Sequence, residues 1–424
     1  MTSKNQYREA YVWIWLPNET EPVVAGLLTE IENLLVFNYG RSYLNRETAI
    51  AIYDPELPLK PGEIPLLPGL SMPSCIRDAS PDAWGRRVLI NRKLGLKRED
   101  ASKQELSELT YLLESGSDRT GALDFQLSAT KYTPRVADHT PLSELMQAAE
   151  SVEKGIPLQP GLGNALQHGT SLGGARPKVL ITADDRKYIA KFSTSSDIYN
   201  VVKAEFVAMT LARLVGLNAA TVKLESVLGK DVLLIERFDR EKAHKGWQRK
   251  AMVSALTLFG LDEMMAMYAS YQDLADLIRH RFTNPNESLR ELFGRIVFNI
   301  LCGNTDDHAR NHAAFWDGKN LTLTPAYDVC PQPRTGNEAS QAMLIHDDNR
   351  MSQLSVCLEV APRFLLDEKT AKILIKHQVD TIRLNWTHVC DEGALTQTER
   401  QFLWHRQFLN PFAFYGAPPG INND

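Results

Sequence analysis

The chain has 424 residues, of which 43% are hydrophobic, 23% charged and 8% aromatic, enough apolar material for a large core and too much for a disordered chain. Its 47 basic and 52 acidic residues give a net charge of −5, which argues against nucleic acid as the default partner. A local patch or a bound basic subunit can still bring one in. The length fits two or three domains or one large two-lobed body, and no fixed-period repeat of a solenoid is found.

No run of about 18 apolar residues occurs, so no membrane span is expected. Residues 1–11 are polar and mixed in charge, unlike a secretory leader. The five cysteines, Cys75, Cys302, Cys330, Cys357 and Cys390, are widely spaced and form no CxxC pair. A disulfide framework or zinc ribbon is disfavoured, and a soluble, cytoplasmic protein is expected.

The first stretch reads as β-rich. The runs YVWIWL, NLLVFNYG and TAIAIYD are short, apolar and bounded by turn residues. A proline-rich segment follows, suited to edges and loops. Residues 78–96 predict a helix opening at SPDAW, with Ser80 as cap and Pro81 in the first turn. A second helix is predicted through SKQELSELTYLLES, closing a first domain at residues 1–125. Residues 125–155 read as strand, turn and amphipathic helix. Residues 156–178, rich in Gly and Pro, read as a loop. KVLIT and YIAKF form a predicted hairpin around the polar ADDRK. The helix that follows ends at Gly216, and VLLIERFDR is a buried-type strand running into charge. These elements make a second domain, residues 126–240. From Met252 the chain reads as mainly helical, apart from a hairpin turning at Asp317-Gly318. The third domain is residues 241–424.

Four features carry chemistry. In GNTDDHARNHAAFW…LTPAYDV, Asp306 and Asn311 stand five apart and Asp328 follows seventeen later. Phosphoryl transfer needs a carboxylate to orient an attacking hydroxyl and oxygen ligands for Mg²⁺, and a protein-kinase catalytic loop supplies them at this spacing. The plain alternative is that such residues only cap turns. Their density directly after the apolar IVFNILC weighs against it, since charge beside a buried segment must be paired or functional. In HGTSLGGARPK, Gly173 and Gly174 allow backbone N–H groups to approach phosphates, although a plain turn is commoner. The pair Gly161-x-Gly163 has no strand before it and reads as a linker. Lys191 in YIAKF follows the glycine loop as a nucleotide-binding lysine does, with Glu205 on the next helix as its candidate partner; a surface lysine is the commoner case. Finally, Glu236 and Phe238 sit where an apolar strand breaks, as in an adenine-binding hinge. The basic run around Trp247 reads as a solvated loop, with nucleic-acid contact as the alternative.

The order of these motifs is informative, and with them in place the chain resembles the HipA-like serine/threonine kinases, toxin components of bacterial toxin–antitoxin modules. LPGLSMPSCIRDASPDAWGRRVL looks like the end of that family's N-terminal subdomain. TSLGGARPK, IERFDR and NTDDHARNH…LTPAYDV look like its kinase motifs. The resemblance implies an α+β, two-lobed protein-kinase-like fold with a β-rich N-terminal subdomain and a mainly helical C-terminal lobe. It implies an ATP- and Mg²⁺-dependent protein kinase with Asp306 as catalytic residue and Asn311 and Asp328 as Mg²⁺ ligands. Lys191 would contact phosphates, Glu236 and Phe238 adenine, and His308 and Tyr327 would lie near the nucleotide. Ser171 falls where the family has a self-phosphorylated serine, with Thr170 beside it; Arg176-Pro177 departs from the Gln-Glu-like pair expected there. Implied partners are a HipB-like helix-turn-helix antitoxin, operator DNA through it, and a translation-related substrate such as an aminoacyl-tRNA synthetase. Two other readings stay open. Asp306, Asp307, His308 and His312 suit a metal-dependent phosphohydrolase, and a catalytically silent kinase fold would act by binding alone.

Overall fold

Period-two burial builds the first sheet. In the computed structural model, which describes residues 7–94, 105–136, 140–158, 161, 163, 166, 169–194 and 197–421, the strands β1 (Glu9–Ile14), β2 (Val23–Ile31), β3 (Leu34–Tyr39), β4 (Glu63–Ile64) and β5 (Leu123–Gln126) pair antiparallel in the order β4-β3-β2-β1-β5. Ala10, Leu28 and Phe37 lie opposite one another, as do Val12 and Phe125. All five are fully buried, as expected where alternate residues share a face. The β2–β3 turn is the two residues Glu32 and Asn33, both at positive φ, the geometry that matches strand twist.

The chain divides into two units. The first comprises Met1–Ser195, Ser226–Val253 and Phe315–Lys319; the second comprises Ser196–Glu225, Ser254–Ala314 and Asn320–Asp424. The division falls inside β8 (Val222–Val227).

Within the first unit, β6 (Lys178–Ala183), β7 (Arg186–Phe192) and β9 (Lys230–Glu236) are neighbours in a second antiparallel sheet. The predicted hairpin is present and turns on Asp184 and Asp185, both at positive φ. Val179, Ala190 and Leu234 of this sheet bury against Trp84 and Leu145 from the helices Ala83–Leu94 and Leu142–Glu153. Four local expectations are corrected. The helix predicted over 78–96 is two pieces, Ser74–Arg77 and Ala83–Leu94. Ser80 does not cap it; its hydroxyl donates to the Glu108 carboxylate at 3.2 Å. Gly161 and Gly163 lie in helical backbone rather than an extended linker. The helix predicted from residue 102 is described over Glu108–Glu114, capped by Ser107; residues 102–104 lie outside the described residues. The basic run is a hairpin of β10 (Arg240–Ala243) and β11 (Gly246–Arg249) rather than a loop, with the ammonium groups of Lys187 and Lys242 about 5 Å from the Trp247 ring centre.

The IERFDR segment holds buried charge. Arg237 donates Nε and Nη2 to the two Asp239 oxygens at 2.9 and 2.7 Å, and Nη1 to Asp118 Oδ1 at 3.0 Å. Arg240 donates to Asp118 at 3.0 Å and to Asp239 at 2.9 Å, and Lys187 also pairs with Asp118. The Gly121 N–H and carbonyl complete the set. Arg119 beside it is fully buried on Asp124. Burial alone pushes the Asp118 carboxyl up, but Arg237, Arg240 and Lys187 outweigh it and hold it well below the carboxylate range.

In the second unit, helices dominate. Val201–Leu214 is capped by Asn200, Glu368–Glu392 by Asp367, and Gln397–Leu403 by a Thr396/Glu399 capping box. Pro285–Cys302 starts on proline and stops at Gly303 in the left-handed region. The expected turn at Asp317-Gly318, which belongs to the first unit, is present, with Gly318 at φ 96°. All five cysteines are buried and unpaired. No helix among the described residues is long and apolar enough to cross a membrane.

Two outcomes are expected of the charge cluster. Arg237→Ala removes one of the two guanidiniums shared by two buried carboxylates and should cost about 3–5 kcal/mol, read from urea midpoints; a loss under about 1 kcal/mol, the scale of a surface pair, contradicts an anchoring role. Burial disfavours the Asp239 carboxylate, yet the two guanidiniums hold it at about 2 against an ordinary 3.8. Its stabilisation is therefore complete above pH 3.8 and disappears as pH falls through about 2. The urea midpoint of the parent should drop in that window, and that of Asp239→Asn should drop less.

Candidate active site

The C-terminus of the Pro285–Cys302 helix lies in the core, and its last polar groups set the site. Gly303, at φ 71°, turns the chain where a Cβ would stand 2.8 Å from the Gln407 carbonyl. Asn304 then bonds back to the helix, its N–H to the Asn299 carbonyl and its amide nitrogen to Asn299 Oδ1, each at 2.9 Å. Asp307 turns inward and is 3% exposed. Its Oδ2 accepts from Asn299 at 2.7 Å, from His312 Nε2 at 2.9 Å and from the Tyr271 hydroxyl. Burial raises the Asp307 carboxyl, but His312 and the hydrogen bonds outweigh it and hold it below the usual range. Burial and Asp307 push the Tyr271 phenol well up.

Asp306 and Asn311 sit on this turn. The Asn311 amide nitrogen donates to the Asp306 carbonyl at 3.2 Å, and the His308 N–H donates to the same carbonyl at 2.9 Å. The Asn311 amide oxygen accepts no hydrogen bond among the described residues, and an amide oxygen is a donor type that suits a hard cation. Tyr327 ties its own segment to the turn, donating to the Arg310 carbonyl at 2.7 Å. One residue on, Asp328 adopts φ 58°, a strained setting that suggests function. Burial raises the Asp306 carboxyl, Asp328 and Asp307 raise it further, and His308 lowers it. Asp306 and Asp328 thus feel one another, and a cation between such groups relieves both. Among the described residues, no group of three or more His, Cys, Asp or Glu is set to hold a metal ion. Mg²⁺ held by one Asn, one Asp and substrate phosphates needs no such group. Asp307 and His312 are bonded to each other and buried, which removes them from the phosphohydrolase ligand set.

In the first unit the glycine loop is packed down. Gly174, at φ 94°, donates its N–H to Asp82 at 2.7 Å, and the Gly173 carbonyl accepts from the Lys178 ammonium. Trp84 donates its N–H to the Gly174 carbonyl and its indole N–H to the Lys178 carbonyl, at 3.3 and 2.9 Å. Thr170 accepts from the Gly116 N–H at 3.2 Å. Ser171 is 1% exposed, and its hydroxyl has no hydrogen-bond partner among the described residues. Lys191 lies directly opposite Lys178 across β6 and β7, and both are buried. Glu236 ends β9 with its carboxylate on Arg186 at 2.6 Å, and Phe238 meets Phe315 edge-on. Glu205 is buried on the Val201–Leu214 helix of the second unit.

A family profile described as the HipA-like C-terminal domain matches residues 170–386, just over half of the chain, and the HipA N-terminal domain matches residues 15–126. The chain belongs to the HipA-like family. A provisionally named kinase of Haemophilus influenzae is 28% identical over 42% of this chain and 58% of its own length. The serine/threonine-protein kinase toxin HipA of Shewanella oneidensis is 23% identical over 38% of this chain and 42% of its own. These matches span about half the length of the relatives. A chain of the solved S. oneidensis HipA–HipB–operator DNA complex aligns over 96% of this chain and 97% of that one, with TM-score 0.69 and 18% identity. The fold is therefore the α+β fold of a HipA-like chain.

The sequence reading missed two residues in this HipA-like chain. From the sequence alone Lys178 reads only as a strand start. A turn centred on residues 184 and 185 pairs residue 178 with residue 191, so the hairpin register identifies it. Asp307 was weighed only as a metal donor, because spacing does not say which of two adjacent acids turns inward.

The packed loop carries its own test. A Cβ on Gly85 would stand 1.9 Å from the Thr170 carbonyl oxygen, whereas one on Gly161 meets nothing within 4 Å. Gly85→Ala should destabilise by about 1–3 kcal/mol through overpacking, and Gly161→Ala should be neutral or better. Thermal midpoints of the two variants check this.

Proposed function

We propose that this chain is an ATP- and Mg²⁺-dependent serine/threonine protein kinase and the toxin partner of a HipB-like antitoxin. The observation that carries the reading is the turn bearing Asp306 and Asn311, with Asp328 acting on the Asp306 carboxyl. In this reading Asp306 orients a protein serine or threonine hydroxyl and accepts its proton. The hydroxyl oxygen bonds the γ-phosphorus of ATP as the bond to ADP breaks. Asn311 and Asp328 would hold Mg²⁺, which offsets charge on the phosphates. Lys191, Gly173 and Gly174 serve the phosphates, with Lys178 directly opposite Lys191 across the two strands. Glu236 and Phe238 serve adenine, His308 and Tyr327 flank the nucleotide, and Glu205 has a supporting role. The antitoxin, and operator DNA through it, are carried over from the S. oneidensis complex.

Ser171 is the proposed self-phosphorylation site rather than Thr170, whose hydroxyl is already engaged by Gly116. Its burial requires the loop to lift before modification. A phosphate dianion does not fit back into that unbonded, buried position, so modification would hold the loop out.

Intact-mass spectrometry with and without Mg²⁺–ATP tests the reading. The parent should gain one phosphate, absent from Asp306→Ala and Ser171→Ala. Parent-like transfer by Asp306→Ala would sink the mechanism. Asp328→Ala should weaken Mg²⁺-dependent nucleotide binding about ten-fold or more, as loss of metal-site partners does; calorimetric affinity equal to the parent's removes Asp328 from the metal site.

A further inference from the structure

The proposed catalytic turn is short, and its own bonds, from the His308 N–H and the Asn311 amide, hold only the Asp306 carbonyl. What ties the turn to the helices lies beneath. Asp307, adjacent in sequence, is bonded from three different elements: Tyr271 opens the Tyr271–Arg281 helix, Asn299 lies in the last turn of Pro285–Cys302, and His312 follows the turn itself. Tyr271 and Asn299 are 0% and 3% exposed. The Tyr271 ring also meets the His312 imidazole edge-on, 5.6 Å between centres. Arg295, Asn311 and His312 line a cavity of about 10 Å³, the size that holds one bridging water, and His312 Nδ1 and Arg295 Nη1 have no hydrogen-bond partner among the described residues.

We infer that Asp307 is a positioning residue for phosphoryl transfer, clamped by Tyr271, Asn299 and His312 so that the preceding residue, Asp306, and the following Asn311 are held in a single geometry. This rests on the kinase reading. The clamp touches no reacting atom, so its loss should slow transfer and leave nucleotide binding nearly intact. Misplacement of a reacting group by about 1 Å costs on the order of a hundred-fold in rate.

The test uses the full chain, Mg²⁺–ATP and three variants. Tyr271→Phe deletes one hydroxyl and keeps the ring; Asp307→Asn keeps the shape and loses the charge; His312→Gln retains a donor for Asp307. Expected for Tyr271→Phe and Asp307→Asn is a fall in kcat of about ten- to a hundred-fold, with KM for Mg²⁺–ATP within about two-fold of the parent. His312→Gln should retain more of kcat than His312→Ala. Hydrogen–deuterium exchange of peptides covering residues 304–312 should quicken in Tyr271→Phe. A parental kcat in Tyr271→Phe, a proportional rise in KM, or unchanged exchange overturns the clamp. Absence of transfer by the parent defeats the kinase reading alone. The exchange result then decides the clamp without reference to activity, and it also does so if Asp307→Asn fails to fold.

Discussion

A helix that ends inside a protein must find partners for its last carbonyls and for whatever polar residues follow. Pro285–Cys302 ends this way, and the second unit is organised by that need. Gly303 supplies the left-handed residue, and its missing side chain admits the Gln407 backbone. Asn299, Asn304 and Asp307 then satisfy one another instead of water. A carboxylate with three donors tolerates full burial because its charge is spread over hydrogen bonds. That arrangement uses up one acid of the Asp306-Asp307 pair and leaves the other exposed, where Asp328 acts on it. In the proposed kinase reading one acid holds the turn and the other is available for chemistry.

The first unit handles buried polarity differently. There the charges are full ion pairs. Arg237 and Arg240 run from the end of β9 back to Asp118, over a hundred residues earlier. Such a cluster adds little net stability compared with apolar packing, but it is intolerant of losing any one member. Its effect is to fix the strand end that carries Glu236 and Phe238 to the 118–124 segment leading into β5. The N-terminal sheet and the strand end are consequently one construction, and the N-terminal residues belong to the scaffold of the proposed nucleotide-binding segment. The glycine loop, in contrast, is held by hydrogen bonds to Asp82 and from Trp84 and Lys178, contacts that can be exchanged at small cost.

Much of this was legible in the sequence where the governing physics is local. Turn residues and alternation predicted the β6–β7 hairpin, Gly216 marked a helix end, and the polar run after IVFNILC stood out because charge cannot follow a buried helix idly. The family followed from the same motifs. What escaped depended on distant partners. Arg237 and Asp239 read as the polar end of a strand because Asp118 is far away in the chain. Ser80 looked like a cap because Glu108, its actual partner, belongs to another helix. Asp307 was indistinguishable from Asp306, since a one-residue difference in direction depends on Tyr271. Spacing identified the motif as a whole, and only tertiary structure divided its labour.

The five cysteines give the molecule an internal reporter. All are buried, and burial pushes the thiols of Cys75, Cys302, Cys357 and Cys390 up, away from the reactive thiolate. The native chain should therefore ignore thiol reagents, and each labelling event records an opening. Cys75 belongs to the first unit and the other four to the second. The pattern of alkylation along the chain is thus a built-in clock for each unit, timing their separate excursions from the native state without any added probe.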